Sequence, residues 1–476
     1  MRGYLELGWG LSGYVILAVY LFGLLVILLT LFYKVEIGLF YATILIPLQN
    51  LQDYMIKYPL GEDFMDILLF AIFLRWIFKE RHHNGKLLLS SPVNGLLVLF
   101  GLWTFLELWF GALNLNLPLA MGLGDPRVIE WKNFILVLFL YFLAANTIKD
   151  VKHMKIILVL MALTMLIMGR SFYTNVASSD HYTEKNSVGY TFGYLGANEL
   201  GAFYGTFTII MVCLALNDSI RWRKILFGLA AFVNHYCVAF LFSRSGYVAI
   251  VATWLMYGLF KDRKVFVILV VCLILWQSVV PVAVQERIMM TKTDTGLDIT
   301  VQQRYNLWRQ AEQLILQNPV TGLGFNTIAY LGLTDEIGDR QRNSLHNGYL
   351  QYTVEFGVVG MLLFLIVLGV GLLSGWRLYR LANDGFSKAL GLGFACAVMG
   401  IVSANFFSLS WCYMPVMGYF WICCGLVVGR IHAITEEMKN GEIKSQQPSQ
   451  QEVQNFTWQA LPITTKSPDL SQPFWQ

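Results

Sequence analysis

Residues Gly13–Leu31 run for nineteen positions without a charged side chain, and Phe134–Ala145, Val265–Leu275 and Val358–Leu373 repeat the pattern. About 20 apolar residues cross a bilayer as a helix, and several of these runs reach or approach that length. Charged residues make up 13% of the chain, against about 25% in a soluble domain. A chain of this size cannot clothe a water-facing surface with so few. A soluble enzyme, a DNA-binding module, a disulfide scaffold and a disordered chain are excluded. A transporter, a channel and a membrane-embedded enzyme remain.

Thirteen spans are expected, near 11–33, 35–52, 64–79, 93–113, 133–147, 155–169, 197–216, 224–242, 247–260, 264–284, 349–375, 387–408 and 412–430. The first lacks a small-residue cleavage site and is too long for a signal peptide, so it is expected to stay as a helix. The net charge of +4 is carried largely by short loops, where it reports orientation rather than nucleic-acid binding. One set of five loops holds sixteen cations, from Arg75, Lys79, Arg81 and Lys86 through to Arg377, Arg380 and Lys388. The intervening short loops hold six: Lys57, Arg127, Lys132, Arg170, Lys185 and Arg244. Cations accumulate on the cytoplasmic side, so the first set is expected inside and the long segment 285–348 outside. The second span is either a true crossing or a re-entrant piece, which leaves twelve or thirteen helices. The seven cysteines all lie in or beside apolar runs, without CxxC or Cys/His spacing, and read as packing residues.

The expected organisation is a transmembrane region over 1–284, an extracytoplasmic loop over 285–348, further transmembrane helices over 349–430, and a disordered cytoplasmic tail over 431–476. The tail is rich in Gln, Ser, Pro and Thr. The long loop holds most of the polar chemistry and a helix that ends at Asn318-Pro319, because the residue before proline is pushed out of the α region. A loop this long in a protein of tight loops is a candidate functional element.

The residues suited to chemistry gather on that side. Ser243-Arg244-Ser245-Gly246 places Arg244 against the cation trend. It reads either as an arginine snorkelling at a helix end or as a clamp on phosphate oxygens. Arg304 opens the loop helix, a place that also suits a solvated residue. Gly322 and Gly324 allow a tight turn that approaches a ligand closely, although two glycines alone say little. His346 stands where the chain returns to the membrane, and a histidine takes a proton near neutral pH. His181 is a weaker candidate. His235, beside Asn234 in an apolar span, reads as a hydrogen-bonded core residue. With Glu107 it is the clearest buried ionisable group. Six acids in the long loop, Asp294, Asp298, Glu312, Asp335, Glu336 and Asp339, are scattered as on a solvated surface, although one of them as a base or a metal ligand is the competing reading.

Taken in order, these elements resemble one family. Arg304-Tyr305-Asn306-Leu307-Trp308, Asn318–Asn326 with its PxxGxG turn, His346-Asn347-Gly348-Tyr349-Leu350-Gln351 and Glu355–Gly360 with ExGxxG are similar to the O-antigen ligase and polymerase family. Ser243–Gly246 resembles its SRxG element, and Asn198-Glu199 its NE-containing helix start. The resemblance is specific over about 190–375 and elsewhere extends only to helix number and loop length. It implies an all-α, polytopic transmembrane bundle of GT-C-like architecture in a bacterial cytoplasmic membrane, with its active site facing the periplasm or exterior. The implied reaction is glycan transfer from undecaprenyl diphosphate to an acceptor hydroxyl on a lipid A core, another glycan or a protein. The implied partners are that lipid-linked donor, the acceptor and membrane lipid, with no nucleic acid. No metal, nucleotide sugar or other cofactor is implied. By motif, His346 is the implied base, and Arg244 and Arg304 the residues that hold the diphosphate. Arg340 and Arg342 are added as assisting residues on sequence proximity alone. A lipid diphosphate leaves as a stable anion, so charge neutralisation matters more than the protonating acid of a glycosidase pair.

Two competing readings stay open on sequence. A glycosyltransferase using a polyprenyl monophosphate sugar would place its acid among Asp53, Glu62, Asp63 and Asp66. A flippase for the same lipid-linked glycans would show internal repeats and buried charges near the midplane, and no convincing repeat is visible.

Overall fold

A computed structural model describes residues 12–83, 87–177, 192, 195–279, 285, 292–293, 296–297, 299–334 and 343–439. It divides into a compact body running to Ala433 and a C-terminal unit, Ile434–Gln476, described only to Lys439 as helical turns. The helices are α1 (Ser12–Phe32), α2 (Val35–Leu45), α3 (Gln49–Met55), α4 (Phe64–His83), α5 (Pro92–Asn114), α6 (Pro126–Thr147), α7 (Val151–Ala177) and α8 (Ala197–Asn217). They continue with α9 (Arg221–Phe240), α10 (Arg244–Phe260), α11 (Arg263–Ile274), α12 (Trp276–Val279), α13 (Ile299–Gln317), α14 (Gly348–Leu381), α15 (Gly385–Ala404) and α16 (Met414–Lys439). Among the described residues, strand pairing is limited to the two-residue hairpin Lys292–Thr293 with Gly296–Leu297 and one bridge, Phe192 with Leu195.

The expected all-α, polytopic class is what the chain adopts. Each of the thirteen expected spans contains helix, although 280–284 of the tenth lie outside the described residues. Among the described residues, eight helices, α1, α5, α6, α7, α8, α14, α15 and α16, are long and apolar enough to cross a membrane. Of the others, α2, α10 and α11 are short, α4 and α9 carry charge in an end turn, and α13 is polar along its length.

The second expected span, 35–52, is broken in two. Pro47 has no amide to donate to the carbonyl of Thr43, and the helix stops at Leu45. The orphaned Thr43 carbonyl accepts instead from the buried Tyr419 hydroxyl of α16 at 2.9 Å. In an apolar interior such a group must be satisfied, so one proline fixes a contact between the first and last parts of the body.

Burial separates central helices from lipid-facing ones. In α8 and α16, 83% of the span is buried, against 28% in α1, which turns Leu21, Phe22, Leu25, Leu28 and Phe32 outward. Central α8 packs on α9, α10 and α15. Small residues permit the approach: a Cβ on Gly246 would lie 2.9 Å from Gly201 Cα, and one on Gly400 3.1 Å from Thr206 Cα.

Candidate active site

The site is assembled from four elements that meet at one end of the bundle. The first is a break in α14. Gly357 holds φ 66°, ψ −179°, a region open only to glycine. The amides of Val358 and Val359 therefore leave the helix ladder and donate to the carbonyls of Pro319 (2.9 Å) and Val320 (3.4 Å). The carbonyls of Val354 and Glu355, released by the same break, accept from the amides of Leu323 (2.7 Å) and Gly324 (2.9 Å). Two helical bonds are thus exchanged for four to the PxxGxG turn. That turn also presses on α5, where Gly324 lies against Gly111, the Phe325 amide donates to the Glu107 carbonyl at 3.0 Å, and Asn114 Nδ2 donates to the Leu323 carbonyl at 2.8 Å. The two glycine motifs are one structure, a backbone clasp that seats the loop on the bundle.

The second element is the lead-in to α14. His346 adopts φ 50°, a left-handed conformation uncommon for a residue with a Cβ. It is half-buried, and its amide donates to Ser344 Oγ at 3.1 Å. Asn347 caps α14, its Oδ1 accepting from the amides of Tyr349 (3.0 Å) and Leu350 (3.1 Å). The Gly348 amide donates to the carbonyls of Asn405 (2.8 Å) and Ser408 (3.0 Å). Gln351 ties the turn to the helix, accepting from the Leu345 amide at 3.1 Å and donating to Glu355 Oε1 at 3.1 Å. Every residue from His346 to Gln351 contributes a backbone or side-chain hydrogen bond, Tyr349 adding a hydroxyl that donates to the Val402 carbonyl at 2.9 Å.

The third element is α13, whose apolar face, Leu307 and Ala311, packs with Leu323, Ile328, Leu345 and Val354. Trp308 Nε1 donates to the Leu345 carbonyl at 2.9 Å, next to His346. Arg304, one turn earlier, reaches the Phe407 carbonyl with Nη1 at 3.5 Å and lies within electrostatic range of Glu199.

The fourth element joins the start of α8 to the start of α10. Ser245 Oγ donates to the Asn198 carbonyl at 2.6 Å, Ser243 Oγ donates to Asn198 Oδ1 at 3.2 Å, and Ser243 Oγ accepts from the Gly246 amide at 3.3 Å. Phe242, at φ 49°, turns the chain sharply before Ser243. Arg244 is therefore carried on the first turn of a helix fixed against α8. Glu199 closes the cap of α8 by accepting from the Gly196 amide, which is one half of a capping box. Burial, reinforced by the Glu199 carboxylate, pushes the Tyr413 phenol up to about 12.

The structure thus ties the His346 lead-in and Arg304 to one short segment, 405–408, and brings Arg304 into range of α8, against which Arg244 is anchored. Arg340, Arg342 and His181 lie outside the described residues, as do all the loop acids except Glu312. Two other cations on this side are occupied elsewhere: Arg127 pairs with Asp125 at 2.7 Å, and Lys132 with Asp66. His235 is satisfied in the core, with Nδ1 2.8 Å from the Ala231 carbonyl and Nε2 accepting from Trp254 Nε1 at 3.0 Å. Sequence reasoning passed over the 405–413 segment. The expected span 387–408 overruns it, because Phe406-Phe407 reads as more of the same apolar helix, whereas α15 ends at Ala404. It also missed Glu199 and Glu355 as buried carboxylates. Glutamate three residues after Gly196, at a helix start, was the available signal.

A multi-pass membrane protein with its polar residues gathered at one end around a long, docked loop is the class this arrangement defines. Residues 229–365 match the family model described as O-antigen ligase. That stretch contains Arg244, Arg304, the PxxGxG turn, His346 and the Gly357 break. The resemblance read from the sequence holds over that stretch, where the chain is similar to the O-antigen ligase family. Comparison with curated proteins returns no match.

Proposed function

We propose that the chain is a membrane glycosyltransferase that moves a glycan from undecaprenyl diphosphate to an acceptor hydroxyl outside the cytoplasmic membrane. The observation that supports this reading most is that Gly348, two residues after His346, and Arg304 both donate to carbonyls of residues 405–408. It is consistent with a histidine base and a diphosphate-binding guanidinium working close to one segment.

In this reading the acceptor oxygen attacks the anomeric carbon as its proton passes to His346. The bond from that carbon to the diphosphate oxygen breaks, and its electron pair leaves with the lipid diphosphate. Arg244 and Arg304 neutralise the charge that develops there, and Arg340 and Arg342 assist from the same loop. A single displacement inverts the anomeric centre. No step is assigned to a metal. The cation asymmetry of the loops supports an outward-facing site.

The test is surface-glycan analysis in a deletion strain. Loss of surface polymer with accumulation of full-length lipid-linked polymer identifies a ligase, and accumulation of single lipid-linked repeats identifies a polymerase. Unchanged surface glycan would overturn the proposal.

Arg304→Lys is expected to lower transfer about tenfold or more, chiefly by raising KM for the lipid-linked donor. An ammonium keeps the charge but not the planar fork that matches diphosphate oxygens. Steady-state kinetics with purified lipid-linked glycan decide this, and an unchanged KM would remove Arg304 from donor binding.

A further inference from the structure

His346, at φ 50°, and Asn326, at φ 56°, both hold a left-handed backbone. Asparagine visits that region readily, but a histidine stays there only where its surroundings over-determine it. The constraints on His346 begin at Leu345. The Leu345 carbonyl accepts from Trp308 Nε1 at 2.9 Å, and the Leu345 amide donates to Gln351 Oε1 at 3.1 Å. Both polar groups of the residue before His346 are therefore fixed, one by α13 and one by α14.

Gln351 can accept from Leu345 only with its amide turned one way, Oε1 toward Leu345 and Nε2 away. Glu355 supplies the reason for that orientation, because its Oε1 takes the Gln351 Nε2 donor at 3.1 Å. Glu355 is 3% exposed and is gripped in turn by the PxxGxG turn. Its carbonyl accepts from the Gly324 amide at 2.9 Å, and its carboxyl accepts from the Asn326 amide. Asn326 is tied further out, its Nδ2 donating to Glu130 Oε2 of α6. One path of hydrogen bonds thus runs from α6 through Asn326, Glu355 and Gln351 to the amide next to His346.

A glutamine and a glutamate four residues apart are an ordinary pair on a helix surface. This pair differs, since each member makes a second bond outside the helix. Burying an acid is costly unless it is hydrogen-bonded, and an apolar side chain would also pack against the turn. An apolar side chain would not orient Gln351. We propose that Glu355 is a positioning residue, which through Gln351 fixes the backbone that carries His346 and is itself fixed by the Asn326 amide. This rests on the reading of His346 as the base.

Steady-state kinetics with purified lipid-linked glycan test it. Glu355→Gln keeps the shape of the side chain but sets a new NH2 group among two donors, so Gln351 loses its partner or turns away from Leu345. We expect kcat to fall about tenfold or more with KM for the donor unchanged, because a base displaced by about an ångström costs up to about 100-fold. Adding Gln351→Glu exchanges the two side chains. The carboxylate then accepts from Leu345 and from the new amide, whose oxygen accepts from Asn326, and most of the lost kcat should return. A role in stability alone would lower the melting temperature without separating kcat from KM. Wild-type kcat in Glu355→Gln overturns the proposal, as does an exchange variant that stays slow. Should Glu355→Gln melt early, the exchange variant decides: it retains every bond, so either a low melting temperature or a low kcat in it overturns the proposal. His346→Ala measured alongside separates the two readings. Full transfer by that variant sinks the base itself, whereas its inactivity beside a fully active Glu355→Gln sinks only the positioning role.

Discussion

Membranes carrying His346→Ala are expected to transfer glycan at least about 100-fold more slowly than wild type, the usual contribution of a positioned base, while the purified variant melts within a degree or two of wild type. The two readouts separate because the scaffold around His346 is built from other atoms. The lead-in is held by the His346 amide on Ser344, the Asn347 cap, the Gly348 amide on residues 405 and 408, and Gln351 on the Leu345 amide. Removing an imidazole disturbs none of these bonds. His346→Asn is a stricter test. Asparagine tolerates the left-handed backbone that His346 adopts but does not take a proton near neutral pH. It should be as inactive as alanine. Full transfer by either variant would dismiss His346 as the base.

Gly357→Ala is expected to destabilise the protein by about 3 kcal/mol or more. The residue sits at φ 66°, ψ −179°, where a Cβ is strained by about 1–3 kcal/mol, and that Cβ would strike the Val320 carbonyl. Relief requires the turn to lift from α14, breaking backbone bonds worth about 0.5–1.5 kcal/mol each. Gly369→Ala, in the same helix, is the matched control, since its Cβ would meet nothing within 4 Å. Thermal melts in detergent compare the pair, and limited proteolysis should find the 318–326 turn newly accessible only in the Gly357 variant. A Gly357→Ala protein as stable as its control would show that the clasp contributes little.

The bundle was legible in the sequence because its signal is written along the chain. Continuous apolar runs specify helices residue by residue, and the motif order carried the family. Pairings between distant segments were not legible. Gly322, Gly324 and Gly357 announce backbone freedom, but spacing does not reveal that the freedom of one pair answers the break at the other. Pro47 announces a helix end but not that Tyr419 will supply the missing donor. Of the proposed site residues, Arg244, Arg304 and His346 fall on described elements, whereas Arg340 and Arg342 were chosen by sequence proximity and fall outside them. The segment 405–413 escaped because Phe406, Phe407 and Trp411 look like membrane helix, whereas its shape is set by contacts from Gly348, Arg304 and Tyr352 and by its own Asn405 and Ser408 side chains.

The break at Gly357 also bears on how the protein is made. It lies nine residues into α14, about 13 Å along the helix, where lipid offers no substitute for missing hydrogen bonds. A nascent α14 released alone into the bilayer would do best as one uninterrupted rod. The bent form becomes favourable only once the 318–326 turn, synthesised earlier, folds down upon it. Maturation of the fold is then a late docking event that converts a straight span into a jointed one. Newly inserted chains would pass through a stage that is fully integrated but not yet assembled at its mouth.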